Sequence, residues 1–146
     1  MSDISAAFLL AQLEETNAII NHRKRQWHIY FNELQDLGNR KLLQLPHINA
    51  DSEINYSGFY IKVPDFEKTE KLKSHLNSVG IQVLSHYLDL SLSPYILKFQ
   101  ADKHKYVHEN SLKYQNTLLR LPLYHDLTDK CIIWITENIK DFLKND

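Results

Sequence analysis

Three sets of side chains in this 146-residue sequence could in principle do chemistry, and each has a plainer reading. His104 and His108 stand four apart, so a helix would bring both imidazoles to one face, as a metal site requires. No Glu lies between them in the zinc-protease pattern and no third ligand is evident, so the pair reads as a solvated helix face. Cys131 falls on the flank of an apolar helical stripe, which predicts a buried, inert thiol rather than a nucleophile. Arg23, Lys24 and Arg25 are consecutive cations. In a chain of formal net charge −1, however, three charges read as a wet helix face rather than a nucleic-acid patch. The glycines, Gly38, Gly58 and Gly80, stand alone, which excludes a glycine-rich phosphate cradle. Spacing by itself therefore yields no catalytic constellation and no metal site.

The bulk composition bounds the rest. A hydrophobic content of 43% in this length supports a real core, and one domain over residues 1–146 is expected. The single cysteine rules out an intramolecular disulfide and suits a reducing compartment. Ala6 to Leu13 is apolar but short, is interrupted by Gln12 and lacks a basic leader, so neither a signal peptide nor a membrane span is expected. The expectation is a cytoplasmic, soluble protein with no nucleic-acid and no membrane partner.

The organising element is Ser2 to about Leu37, a run without proline or glycine that carries a helical apolar repeat. Ser2 is its N-cap, Asp3 lies in its first turn and Gly38 is its stop. As one straight helix it would reach about 50 Å, against a radius of gyration near about 15 Å for a compact chain of this size. It must bend, and Glu14-Glu15-Thr16-Asn17 is the expected place. Its first half is apolar on two faces, Ile4/Phe8/Ala11 and Leu9/Leu13/Thr16/Ile20, and its second half narrows to Ile20/Trp27/Phe31/Leu34 with Tyr30 beside it.

Lys41 to Pro46 reads as a short extended approach. Phe59 to Val63, stopped by Pro64, is the clearest strand and is expected to be central. Asp65 caps a helix to about Ser78 with Phe66, Leu72 and Leu76 inside, and Gly80 closes it. Ile81 to Leu84 returns as a strand, which makes a strand-helix-strand unit with a right-handed crossover if its strands are parallel neighbours; an antiparallel return stays open. Ser85 to Gln100 is an irregular, aromatic loop, the place to look for function. A helix over His108 to Asn116 precedes an extended Leu118 to Tyr124. Thr128 caps a last helix, stapled by Leu127 and Ile132, whose core face is Ile132/Ile135/Ile139/Phe142. The fold class is α+β, a small mixed sheet packed with helices behind a long N-terminal helix.

Four of these blocks together carry a resemblance. They are Ser2 to Glu14 (SDISAAFLLAQLE), Phe59 to Val63 (FYIKV), the pair His86-Tyr87, and Leu118 to Tyr124 (LLRLPLY) followed by Leu127-Thr128. In order and approximate spacing they resemble the C-terminal portion of the DegT/DnrJ/EryC1/StrS sugar aminotransferases, which use pyridoxal phosphate. The likeness is greatest to the dTDP-4-keto-6-deoxyglucose transaminases. The first block is similar to that family's helix after its Asn-x-Arg motif, and His86-Tyr87 to the start of its His-Tyr-x-Pro-Leu-His pocket segment. The resemblance implies the small domain of a fold-type I aminotransferase and work on a nucleotide sugar in cell-surface polysaccharide (lipopolysaccharide) biosynthesis.

The same resemblance implies a division of labour. In the family a large N-terminal domain carries the Schiff-base lysine, the acidic partner of the pyridinium nitrogen and the phosphate-binding hydroxyls, and none of these is expected in this chain. As an isolated chain it is expected to be inactive and to hold no cofactor. Within the retained part, Ser57 stands where close relatives have a histidine, and Asp89 and Ser91 replace the proline and second histidine of the pocket segment. His86 and Tyr87 then read either as contacts to the sugar nucleotide or the water near the cofactor, or as a strand-end pair held by packing. The expected partners are a second copy, met through the N-terminal helix, and a separate large domain. The alternative to a split aminotransferase is a stand-alone structural or interaction module, or a truncated remnant.

Overall fold

The structure is a computed structural model and describes residues 1–85, 88–99 and 109–145, with the side chain of Asn145 left aside. The long N-terminal run forms two helices, α1 (Asp3–Glu14) and α2 (Thr16–Asn39), separated at Glu15, whose φ of −91° and ψ of 8° leave the helical region. The break falls inside the expected polar patch. Thr16 turns its hydroxyl onto the Leu13 carbonyl at 2.6 Å, the local competition that makes threonine a poor helix former. Ser2 caps α1 as its sequence position suggests, accepting from the Ser5 N–H at 3.2 Å.

The end of α2 corrects one reading. Gly38 lies inside the helix, and the stop is made three residues later by Lys41, which takes a left-handed φ of 59°. The Leu42 N–H reaches the Leu37 carbonyl and the Lys41 N–H that of Gly38, both at 3.0 Å, which is the Schellman pattern normally built on glycine. Gly38 serves packing instead, since a β-carbon there would meet Leu45 Cδ1 at 3.4 Å. The helix that follows ends more conventionally: Gly80, at a φ of 84°, closes α3 (Phe66–Ser78) with the same two bonds, Ile81 N–H to Leu76 and Gly80 N–H to Asn77. Lys41→Gly is therefore expected to raise stability by about 0.5–1 kcal/mol and Gly80→Ala to lower it by about 1 kcal/mol, read as opposite shifts of the urea midpoint.

Three strands form one sheet in the order β1-β3-β2: β1 (Phe59–Lys62), β3 (Leu118–Leu121) and β2 (Leu84–Ser85), with β3 antiparallel to both neighbours. β1 is thus not central. Its far side holds only the single bridge between Gln44 and Lys62, which is all that the Lys41 to Pro46 approach contributes. β1 and β2 run parallel to each other but are not neighbours, because β3 lies between them. The strand-helix-strand unit around α3 is therefore split, a nonlocal pairing that β-propensity cannot reveal. The second strand also starts later than Ile81, because Val83 gives its N–H to Asn77 Oδ1 rather than to a strand. In the supposedly irregular stretch, Leu90–Leu92 is a 3-10 turn and Pro94–Phe99 a short helix, α4. The expected breakers start it: Ser93 Oγ accepts from the Ile96 N–H, and Pro94 occupies the first helical position. Beyond lies α5 (Glu109–Thr117), and α6 (Asp129–Asn145) ends the description.

The inner face of the sheet (Phe59, Ile61, Leu119, Leu121) packs with Trp27, Tyr30, Leu34 and Leu37 of α2, Leu72 and Leu76 of α3, and Ile132, Ile135, Ile139 and Leu143 of α6 in one core. Tyr30 rather than Phe31 is the fully buried member of the α2 seam and stacks on Phe59 at 5.0 Å, while Phe31 is half-buried against Trp27. Two inner assignments move outward. Phe66, at the first turn of α3, is exposed because the helix dips into the core only from Thr69 onward. Cys131 is exposed as well, since it precedes Ile132 by one residue and is turned about 100° from the buried seam. No residue of α1 is buried. Among the described residues no helix is long and apolar enough to cross a membrane.

Candidate functional site

His86 and Tyr87 lie outside the described residues, as do His104 and His108. What can be built is the frame on either side of the pair. Before it, β2 pairs Leu84 with Arg120 and Ser85 with Leu119, and Lys73 Nζ of α3 donates to Ser85 Oγ at 3.2 Å. After it, Asp89 is buried: its N–H donates to Gln115 Oε1 of α5 at 2.5 Å, and its Oδ1 accepts from the Ser91 N–H at 2.8 Å. The chain on both sides of His86-Tyr87 is therefore anchored, to the central strand on one side and to α5 on the other. The departures at Asp89 and Ser91 become legible too. The aspartate caps the 3-10 turn, a local structural role that proline could not fill with a side-chain acceptor. Among the described residues no group of three or more His, Cys, Asp or Glu could hold a metal ion.

A concavity of about 570 Å³ lies where β1 and β2 begin, beside the first turns of α6. Arg120 of β3, the one exposed residue of that strand, lines it with Ser57, Gly58, Tyr124, Cys131 and Trp134. The guanidinium lies close over Gly58: a β-carbon at that position would stand 3.1 Å from Arg120 Nη2, so the arginine would have to give by a few tenths of an ångström. α2 positions the far wall from inside. Buried Gln26 Nε2 donates to the carbonyls of Tyr124 at 2.9 Å and Leu127 at 2.7 Å, and Tyr30 Oη donates to the Pro122 carbonyl at 2.8 Å. Burial, with the neighbouring Tyr124 and Cys131, pushes the Tyr30 phenol well above its ordinary range, so it stays a neutral donor. At the head of α6, Thr128 Oγ1 accepts from the Cys131 N–H at 3.3 Å and turns its hydroxyl toward Cys131 Sγ at 3.2 Å. Sequence reading passed over Arg120, although its signal is plain: it is the only polar position within Leu118-Leu-Arg-Leu121, and period-two alternation puts it on the outer face with Leu118.

Residues 1–140 match the model of the DegT/DnrJ/EryC1/StrS aminotransferase family. The chain belongs to this family. None of the curated proteins matches it. Among solved structures it is similar to the aminotransferase TlmJ from Streptoalloteichus hindustanus, with a TM-score of 0.86 at 17% identity over 99% of this chain and 37% of that one. It is equally similar to the PMP-form of the putative sugar aminotransferase Spr1654 from Streptococcus pneumoniae, with a TM-score of 0.86, 20% identity, and 99% and 36% coverage. A DegT DnrJ EryC1 StrS aminotransferase from Brucella abortus gives a TM-score of 0.75 at 22% identity, covering 94% of this chain and 34% of that one. This family member therefore spans little more than a third of the length of the solved chains it matches, and it shares the fold of that third.

The family's pyridoxal phosphate can be tested against the described residues, and they do not fit it. No lysine is among the buried residues. The three glycines serve a helix interior, an arginine contact and a helix end rather than a phosphate cradle.

Proposed function

We propose that this chain is the C-terminal part of a pyridoxal-phosphate-dependent nucleotide-sugar aminotransferase acting on a dTDP-4-keto-6-deoxyhexose of cell-surface polysaccharide biosynthesis. In this reading it works together with the family's large, cofactor-binding domain. The supporting observation is the pairing of a family match over residues 1–140 with a fold that superposes on about a third of each aminotransferase neighbour, one of them a putative sugar aminotransferase. The cofactor supplies the amino-transfer chemistry when bound to the large domain. This chain completes the sugar pocket: His86 and Tyr87, in the three-residue span between the anchored Ser85 and Asp89, contact the sugar nucleotide and hold the keto sugar in register. Pyridoxal phosphate mixed with the isolated chain is expected to give only weak, non-saturating adducts with surface lysines. A stoichiometric, saturable absorbance band of an enzyme Schiff base would contradict the proposal.

A homodimer through α1 belongs to the same proposal. Ile4, Phe8, Leu10 and Leu13 are each more than half exposed on a helix that buries nothing, an apolar surface of a kind monomers rarely leave in water. Sedimentation at micromolar concentration is expected to show a dimer, and Phe8→Glu to shift it toward monomer by placing a charge in a desolvated contact. A wild-type monomer at every accessible concentration would contradict this. The bareness of α1 also favours the second reading, a stand-alone interaction module, which predicts the same dimer but no association with an aminotransferase large domain.

A further inference from the structure

We propose that a lysine-rimmed groove at the C-terminal end of α2 receives α1 of a second copy, and that two such dockings, one in each direction, make the dimer. This rests on the α1 dimer proposed above and names the surface that α1 meets. The helix sets the terms. Three-and-four spacing puts Asp3, Ala7, Leu10 and Glu14 in one row of α1 and Ile4, Phe8 and Ala11 in the next, so an apolar strip runs beside carboxylates at both ends. Glu15 follows, and no lysine, arginine or histidine lies between Ser2 and Ile20. Packed on its own copy, such a helix brings like charges together whichever way it runs: Asp3 meets Glu14 in an antiparallel contact, and each acid meets itself in a parallel one. Its complement is an apolar surface edged with cations.

The described residues hold such a surface. Phe31 of α2, Leu45 and Pro64 lie in a groove of about 570 Å³ whose charged lining is Lys41, Lys62 and Lys113. No acidic side chain lines it, and among the described residues no carboxylate is within ion-pair distance of any of the three lysines. The nearest acid along α2, Asp36, is turned to Arg40 at 3.7 Å. Glu109, one turn before Lys113 on α5, is not paired with it. The negative end of α2 borders the groove, but the Asp36, Leu37 and Gly38 carbonyls already accept from the Arg40, Leu42 and Lys41 N–H groups, which lessens the opposing partial charge. Lys62 Nζ sits 4.8 Å from the centre of the Tyr114 ring, so one cation of the rim is held in place.

Reach decides which copy supplies the helix. Phe31 stands 16 positions after Glu15, about 24 Å along α2, whereas the 12 residues of α1 span about 18 Å. Folded back along its own α2, α1 stops short of the groove, so the occupant comes from another molecule. An amphipathic helix laid in an apolar groove is a common mode of recognition. Reciprocal docking closes the pair about a twofold axis and doubles the surface buried by one short helix, toward the about 800 Å² per partner of a stable interface.

The test is sedimentation of the 146-residue protein with charge reversed on one side at a time. Lys62→Glu with Lys113→Glu is expected to weaken the dimer about tenfold or more, and Glu14→Lys to weaken it by less. Mixed in equal amounts, these two variants are expected to form a heterodimer close to wild-type affinity, because each α1 then faces a groove of opposite charge. Such recovery separates a lost pairing from a lost fold. Raising NaCl from about 0.05 to 0.5 M is expected to weaken the wild-type dimer as well. A wild-type dimer whose affinity survives reversal of the two lysines overturns the proposal and leaves the α1 dimer standing on some other surface. Variants that keep the wild-type unfolding midpoint and fail to recover on mixing overturn it too. A wild-type monomer at every accessible concentration removes both the groove and the α1 dimer.

Discussion

Phe59→Ala is expected to destabilise the protein by about 3–5 kcal/mol, the largest single-residue effect we anticipate on the fold. Phe59 is fully buried and opens β1, with the Tyr30 ring stacked on it at 5.0 Å and the Trp27 ring edge-on at 5.2 Å. Truncation removes both ring contacts and leaves a cavity between α2 and the sheet that neither rigid element can collapse to fill. Against a total stability of about 5–15 kcal/mol, such a loss brings the domain near its unfolding midpoint. The effect should reach the surface as well, since Gly58, which lies against Arg120, is the preceding residue. Tyr60→Ala, one position on and facing the other way, is expected to cost no more than about 1 kcal/mol. Urea denaturation of the two variants checks the contrast, and a loss below 1 kcal/mol at Phe59 would contradict the packing described.

His86→Ala, in an assembly with a cognate large domain, is expected to lower turnover by about 10–100-fold, the scale on which misplacing a bound substrate slows an enzyme. A residue on a span anchored at Ser85 and Asp89 can position the sugar or shape the water around it. On the proposed reading the cofactor is held by the large domain. The cofactor's absorbance and its affinity for the assembly should therefore be unchanged, and the loss should appear in kcat as well as in KM. Tyr87→Phe should show a smaller effect, because it removes one hydroxyl and leaves the ring. A variant that loses cofactor together with activity would show instead that His86 supports the architecture of the pocket.

Local signals were legible in the chain and long-range ones were not. Asp65 accepts from the Lys68 N–H at 2.8 Å, Gly80 closes α3, and Thr128 with Leu127 and Ile132 starts α6 as their types and spacing imply. Each of these is decided within five or six residues. Which strand is central is decided elsewhere: Leu118 to Leu121 takes the middle because it pairs on both edges, and no propensity of Phe59 to Lys62 reports that. Gly38 misled for a related reason, since a helix end is set by whichever residue can afford a left-handed φ where the tertiary structure turns the chain, and here that is Lys41. Cys131 shows how a one-residue error on a helix, about 100° of rotation, turns a core thiol into a groove thiol. Arg120 is legible from alternation alone, as the polar position on the outer face of an otherwise leucine strand.

The central claim, that this family member completes an aminotransferase whose cofactor is held by the large domain, is tested most directly by co-expression with a cognate large domain that ends in the Asn-x-Arg motif. Amino transfer from glutamate to a dTDP-4-keto-6-deoxy sugar is then assayed for each part and for the mixture. The account predicts a co-purifying complex and activity in the mixture alone; activity in the isolated chain, or no complex with the cognate large domain, would contradict it.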